Sequence, residues 1–521
     1  LALWDARRQR LILARDRAGE RHLYYTMADH AVLFASELAA LAQAAGADAP
    51  LDRTALAHFL QSGYCPAPQC LLGGYRKLQP GEMIVFEQGE TRHRRYWRFP
   101  QRAATAAVPT PPSFDHVLRE AVHRQSEIEV PFGVLLSGGL DSALIAAVAR
   151  SLRPARELPA YCIRFAEASF DEGRDAERIA ARLGCPFVPV TVTADDIPPT
   201  LRELVATTGE PLADPAWLPL AQVTRRAARD VRVLLAGEGA DELFGGYPTY
   251  LGTQFAGRYA RLPAGLRGVL RRAIERLPPS DRKITLSYLL KRFVRGEELD
   301  GLARHRLWMS HITPEWLHRL GVEPPAWEAG AAAALPLLDA VQQHDFAQAL
   351  PEALLAKADR GGMLHGVEIR APYLDSTVIE FAAALPEQAR VHGLTTKVFL
   401  KEYARLYLPR AVTHRRKRGL SVPLSAWLRG PLHDWAQSRL AGGALAEAGL
   451  SQRAALELLA EHRARKADHA RAVWLLLVLS EWLEWRAARN GEWMSQTPPQ
   501  QAVVAAAADR RASEAKVNRS A

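Results

Sequence analysis

Val134-Leu135-Leu136-Ser137-Gly138-Gly139-Leu140-Asp141-Ser142-Ala143 decides how this chain is read. A short apolar run ends in a tight Gly-rich turn. Leu144, Ile145, Val148 and Leu152 then recur at helical spacing. The pattern predicts a buried strand, a loop and a helix. Adjacent glycines let the backbone come close to an anion. The helix that follows points its free N–H groups and positive dipole end at the same place. Ser137 and Ser142 add hydroxyl donors, and Asp141 adds a carboxylate able to hold a cation there. No Lys follows the glycines, so this is not a Walker-type loop.

A second Gly-rich turn, Gly237-Glu238-Gly239-Ala240-Asp241-Glu242-Leu243-Phe244-Gly245-Gly246-Tyr247, follows the apolar run Val231–Ala236. It packs three acids into a few residues. One carboxylate repels a phosphate, whereas two that share a Mg²⁺ with it are neutralised. Asp141 and Asp241, each at the end of an expected strand, form the candidate pair. On the plainer reading, Asp241 and Glu242 only cap the next helix. Three further stretches stand out. Leu354–Asp375 alternates charged and apolar residues, as either a solvated helix face or a buried ion network does, and Pro372 suggests a functional loop after a helix. Gly393-Leu394-Thr395-Thr396-Lys397 ends on a lone Lys, ordinarily a solvated charge. Arg415–Leu424 opens on a basic cluster.

Around these stretches the pattern changes along the chain. It is strand-rich up to about Trp97, beginning with a hairpin of Leu1–Trp4 and Leu11–Ala14. Residues 98–112, rich in Ala, Thr and Pro, read as a linker. Phe114, Val117, Leu118, Ala121 and Val122 share one helix face. Strand and helix then alternate through Ala160–Phe165, Asp171–Leu183, Phe187–Val190, Leu201–Thr207 and Val231–Ala236. Such alternation implies a parallel sheet covered on both faces, with ligands beyond the carboxyl ends of its strands. From Tyr250 the pattern is almost wholly helical, and residues 495–521 read as a disordered tail.

About half of the 521 residues are apolar, enough for a sizeable core in more than one domain. No run approaches the ~18 apolar residues of a membrane span, and Val473–Leu479 reads as a buried helix. Four cysteines suggest a reducing compartment, and Cys65 and Cys70 lack the second pair a zinc site needs. The net charge of +10 is spread along the chain as arginine, so no nucleic acid is expected as a partner.

SGGLDS resembles the pyrophosphate loop of the N-type ATP pyrophosphatases. With GEGADELFGGY, the K-x-D-R to E-x-R-x-P-Y-L-D segment, T-K and K-R-G in that order, the chain resembles the glutamine-dependent asparagine synthetase B family from Leu1 to about Trp435. The resemblance implies an α/β fold. An adenine-nucleotide α-hydrolase-like (PP-loop) parallel sheet with added helices would occupy 113–494, after a class II glutaminase (N-terminal nucleophile) α+β domain over 1–97. It implies a cytoplasmic carbon–nitrogen ligase that adenylates aspartate to β-aspartyl-AMP and lets ammonia, drawn from glutamine, displace AMP. ATP and Mg²⁺ are the implied cofactors. Leu136, Ser137, Gly138, Gly139, Asp141, Ser142, Ile163 and Gly237 would bind ATP and pyrophosphate. Asp141 and Asp241 would hold the metal, Lys397 would stabilise developing charge, and Glu238 would take the proton from ammonia. A homodimer is left open, and neither nucleic acid nor membrane is implied.

The family's glutaminase nucleophile is an N-terminal Cys, whereas residue 1 here is Leu, already within a strand. The expectation is of a truncated glutaminase domain without that activity, whose layered sheets expose edges. Ala236 stands where Ser is common, Leu420 where Phe is common, and Gly361-Gly362 would loosen their segment. β-Lactam synthetases and lasso-peptide cyclases carry similar motifs, so the acceptor carboxylate stays open. An RNA-modifying pyrophosphatase would need an RNA-binding domain that the sequence does not present.

Overall fold

The computed structural model describes residues 1–28, 31–45, 49–101, 110–154, 157–277, 285–299, 301–326, 335–415 and 419–495. Most of the expected linker, residues 416–418 of the basic cluster and the expected tail beyond Ser495 lie outside the described residues.

Strands β1 (Ala2–Asp5), β2 (Arg10–Ala14), β3 (Tyr24–Ala28), β4 (Ala31–Ala35), β5 (Tyr75–Lys77), β6 (Glu82–Glu87) and β7 (Glu90–Arg95) form two antiparallel sheets, β1-β2-β6-β7 and β4-β3-β5. Alternating apolar residues of the two sheets, Leu13, Tyr25 and Ile84 among them, meet in a small core. Edge strand β1 leaves Leu3 and Trp4 exposed. Helices Leu38–Ala45 and Arg53–Ser62 bury Leu38, Leu41, Phe59 and Leu60 in the same cluster as Val473–Leu479, on the helix Ala470–Ser495. That run is buried throughout, as its length and composition predict. The beginning and end of the chain thus share one core.

The central sheet contains β8 (Phe132–Leu135), β9 (Ala160–Arg164), β10 (Phe187–Thr191), β11 (Val233–Leu235) and β12 (Glu368–Arg370). All are parallel, in the order β10-β9-β8-β11-β12. Phe132, Val134, Val233 and Leu235 face helices Pro111–Ser126 and Leu140–Leu152. Leu234, Ala236 and Ile369 face helix Trp217–Ala227. Helix Pro111–Ser126 starts with Thr110 and Ser113 bonded reciprocally and two prolines in its first turn, where their missing N–H groups cost nothing. Successive crossovers run from β8 outward to β10, then from β11 outward to β12. The order therefore reverses between β8 and β11, and a crevice opens there beyond their carboxyl ends.

Strand β12 corrects the reading of the region after Tyr250 as almost wholly helical. Its sequence Glu-Ile-Arg holds one apolar residue, because it is an edge strand with charged side chains beside Arg21. The Gly361-Gly362 expectation also changes. A Cβ on Gly362 would lie 2.4 Å from Val367 O and 3.2 Å from Ile369 Cγ1, so this glycine closes the turn into β12. Gly362→Ala gains up to about 1 kcal/mol of helix propensity but incurs a backbone clash of about 1–3 kcal/mol. The expected net is a lower melting temperature; an unchanged or raised one refutes the packing argument.

Of the mixed charges of Leu354–Asp375, Arg360 belongs to a buried ion network centred on Glu210 and Glu352, whereas Glu368 and Arg370 pair at the partly exposed sheet edge. Arg15 at the end of β2 donates to Glu352 Oε1 (2.7 Å) and to Leu78 O and Gly19 O. Lys77 at the end of β5 lies 2.8 Å from Glu352 Oε2 and 2.9 Å from Glu210 Oε1. Glu210 also accepts from Tyr24 and, at 2.6 Å, from Arg360. Glu352 sits in a π-helical turn, Leu350–Leu355, that runs straight into helix Ala356–Met363. Burial and the neighbouring Arg15 hold His22 down to about 3, so it faces Glu352 as a neutral ring.

Candidate active site

The two Gly-rich turns leave adjacent strands at the crevice. Their backbones touch: a Cβ on Gly237 would lie 2.8 Å from Ser142 N and 2.9 Å from Asp141 C. The ladder continues to the last residue before each turn, with Leu136 N–H donating to Tyr161 O and Ala236 N–H to Arg370 O. Leu136 and Ile163 stand at the carboxyl ends of neighbouring strands β8 and β9. Gly138 takes φ +61°, and any Cβ there would press on Glu172 O and Asp175 Cβ at 3.0 Å. Ser142 Oγ accepts from Ser137 N–H and lies 3.1 Å from Ser137 Oγ. Gly139 begins helix Leu140–Leu152, whose N-terminal end therefore points into the loop.

Lys397 closes the site. A hairpin of β13 (Val391–His392) and β14 (Thr395–Thr396) leads into it, and helix Val398–Ala404 leaves it. The residue is only 3% exposed, against the ordinary solvated lysine. Its φ of 52° and ψ of 43° place it in the left-handed region, at a cost of about 1–3 kcal/mol for a residue with a Cβ. Its Nζ lies 2.5 Å from Asp141 Oδ1 and 2.7 Å from Asp241 Oδ1. Asp241 is thus an ion-pair residue, and helix Ala240–Phe244 begins at Gly239 without a side-chain cap. The glycine pair that follows makes room for it. Gly245 ends the helix at φ +74°, and a Cβ on Gly246 would collide with Asp241 Oδ1 and Lys397 Cε.

Aromatic packing brings Lys397 to this point from far along the chain. Phe114 meets Phe244, Phe399 and Tyr403 at centroid distances of 5.5, 5.5 and 4.8 Å, and Phe244 stacks on Phe399. One cluster thus ties the helix before the first turn, the helix of the second turn and the helix after Lys397. Each buried ring contributes roughly 1.5–3 kcal/mol.

The remaining acids of the second turn separate. Glu238 is half-buried and faces Lys357, which is itself buried 3.3 Å from Asp214. Burial pushes the Lys357 ammonium down, but Asp214 and then Glu238 outweigh it and hold it above its ordinary value. Glu242 is buried and 2.5 Å from Tyr247 Oη; burial and then Asp241 push it up to about 8. The rise lowers the negative charge that Glu242 adds to a crowded turn. Arg415 donates to Gly138 O at 3.3 Å and pairs with Asp175, bracing the first turn from the basic cluster.

The sequence pointed to no role for Lys357, Asp214 or Tyr247; it offered Glu242 only as a helix cap and Arg415 only as part of a basic cluster. A lysine in a run of apolar residues was the available sign for Lys357. Asp214 and Tyr247 carried none, because their partners come from distant segments.

The donor set fits a Mg²⁺. Two carboxylates converge on one cation, and Mg²⁺ typically takes one or two carboxylates and completes its shell with water and substrate phosphates. Among the described residues no group of three or more His, Cys, Asp or Glu forms an all-protein cage. No helix among them is long and apolar enough to cross a membrane.

A family model described as asparagine synthase matches residues 113–484, and one described as glutamine amidotransferase domain matches residues 1–97. The chain is similar to asparagine synthetase (glutamine-hydrolyzing) 1 of Bacillus subtilis, 28% identical over 92% of this chain and 76% of that protein. It is 32% identical to a putative asparagine synthetase (glutamine-hydrolyzing) of Mycobacterium tuberculosis, over 92% of this chain and 75% of that one. It is 25% identical to amidase chyE of Penicillium rubens, over 83% and 70% respectively.

Proposed function

Because the chain belongs to the asparagine synthase family, we propose that it converts aspartate, ATP and ammonia into asparagine, AMP and pyrophosphate. The observation that carries this reading is the convergence of Asp141, Asp241 and Lys397 at the switch point between β8 and β11. Ser137, Gly138, Gly139 and Ser142, with the end of helix Leu140–Leu152, receive the β- and γ-phosphates. Leu136, Ile163 and Gly237 line the nucleoside side. A Mg²⁺ held by Asp141 and Asp241 would supply charge neutralisation for the departing pyrophosphate.

The aspartate side-chain carboxylate attacks the α-phosphorus, and the bond to the β-phosphate oxygen breaks. Lys397 moves from its carboxylate partners to the phosphate oxygens and offsets the charge that develops there. Ammonia then attacks the acyl carbon of β-aspartyl-AMP, and AMP leaves. Glu238 takes the proton that the new amide nitrogen sheds, while Lys357 keeps Glu238 in place through charge. The amidotransferase match supports glutamine as the nitrogen source of the family's reaction. Cys65 and Cys70 are buried and pushed well above the usual thiol range, so neither supplies a nucleophilic thiolate.

Exchange of labelled pyrophosphate into ATP tests the reading. It is expected to require both aspartate and Mg²⁺, and ammonium should then yield asparagine and AMP in equal amounts. Exchange indifferent to aspartate refutes aspartate as the acceptor; formation of ADP refutes adenylation.

A further inference from the structure

Helix Ala264–Glu275 has no buried residue. Leu266, Val269 and Leu270 are 47%, 56% and 36% exposed, and Leu277 just beyond the helix is 37% exposed. With Ala273 they recur at spacings of three, four, seven and eleven residues, which places them on one stripe. A globular helix buries such a stripe; here the stripe faces outward and the helix packs by its other side. Leu286, at the start of the adjacent helix Leu286–Phe293, is also exposed.

The flanks of the stripe are basic. Arg267 and Arg271 lie on one side, held near Glu297 at 3.9 and 3.5 Å. Arg272 and Arg276 lie exposed on the other. The helix's single acid, Glu275, falls on the face opposite the stripe. A second copy of this face would bring arginines against arginines. An aliphatic centre between basic flanks complements a surface with acyl chains inside and phosphates at the rim.

We infer that Ala264–Glu275 is an interfacial helix that lays Leu266, Val269, Leu270 and Leu277 into an anionic lipid surface, with Arg272 and Arg276 at the headgroups. The chain is then a peripheral protein whose synthetase crevice works beside a membrane. This goes beyond the proposed reaction and does not depend on it.

The test is sedimentation of the full chain with phosphatidylcholine vesicles, with and without phosphatidylserine. Wild-type protein is expected to pellet with the mixed vesicles and much less with phosphatidylcholine alone. A Leu266→Glu, Val269→Glu, Leu270→Glu variant should lose that binding, and Arg272→Glu with Arg276→Glu should weaken it about tenfold or more. All five side chains are exposed, so melting temperature and circular dichroism should match wild type. Absence of pelleting, or pelleting unaffected by the Leu/Val variant, overturns the proposal. So does concentration-dependent self-association, measured by sedimentation velocity, that the Leu/Val variant abolishes: a second copy then covers the stripe.

Discussion

Lys397→Ala is expected to lower aspartate-dependent pyrophosphate exchange by about 10²–10³-fold, the usual cost of removing one donor aimed at developing charge. Lys397→Arg should recover little. The guanidinium is larger, and the ammonium sits in a space so tight that a Cβ on Gly246 would collide with Cε of Lys397. The loss should fall mainly on kcat, because this lysine holds two carboxylates in the resting site and, on the proposed mechanism, exchanges them for phosphates. A second readout needs no activity. Lys397→Ala removes the ammonium that lies 2.5 and 2.7 Å from the carboxylates of Asp141 and Asp241. Added Mg²⁺ should therefore raise the melting temperature of Lys397→Ala more than that of wild type. No Mg²⁺ effect on either protein would reject the carboxylate pair as a metal site, whatever the exchange assay gives.

Glu352→Ala should be the most destabilising single substitution outside the crevice. It strips Arg15 and Lys77, both buried, of a carboxylate they approach at 2.7 and 2.8 Å. Removing one partner of a buried ion network typically costs about 3–5 kcal/mol, because the remaining charges stay out of water. Glu352→Gln keeps the shape and hydrogen-bonding capacity but not the charge, so its loss should be smaller. Equal melting temperatures for wild type and Glu352→Ala would show that the network contributes nothing.

The sign of the pH dependence follows from the same contacts. Burial pushes Glu352 upward, but Lys77 and Arg15 outweigh it and hold the carboxyl well below its ordinary value of 4.5. Glu210 is lowered likewise, by Lys77 and Arg360 against burial. Carboxyls with depressed values stabilise the fold above their unfolded value and lose that contribution as pH falls through the folded one. Wild type should therefore lose stability progressively below about pH 4.5, and Glu352→Gln should show a shallower acid limb. Raised Glu242 acts in the opposite sense. Its contribution is complete below its unfolded value and declines toward pH 8.

Much of the site was legible in the chain itself. Apolar run, glycine turn and helical spacing identify the ends of β8 and β11, and the turn residues report their backbone needs directly. Gly138 takes a left-handed conformation, and Gly237 and Gly246 leave no room for a Cβ. Strand β12 was not legible, since three residues with one apolar member have no periodicity to detect. Lys357, Asp214 and Arg415 were not legible as a group either, because charge partners are chosen by proximity and proximity by the whole fold.

By itself, then, the sequence determined the parallel α/β class, the two Gly-rich turns and the acids they carry. These follow from local rules of spacing, turn conformation and helix ends. Tertiary structure decided the rest. Strand order set β8 beside β11, so the two turns meet. The aromatic cluster of Phe114, Phe244, Phe399 and Tyr403 carried a lysine that reads as a surface charge to within 3 Å of both aspartates. A shared core and a buried ion network joined the first strands to helices at the far end. Those outcomes depend on contacts between residues hundreds of positions apart, which packing selects and no local pattern encodes.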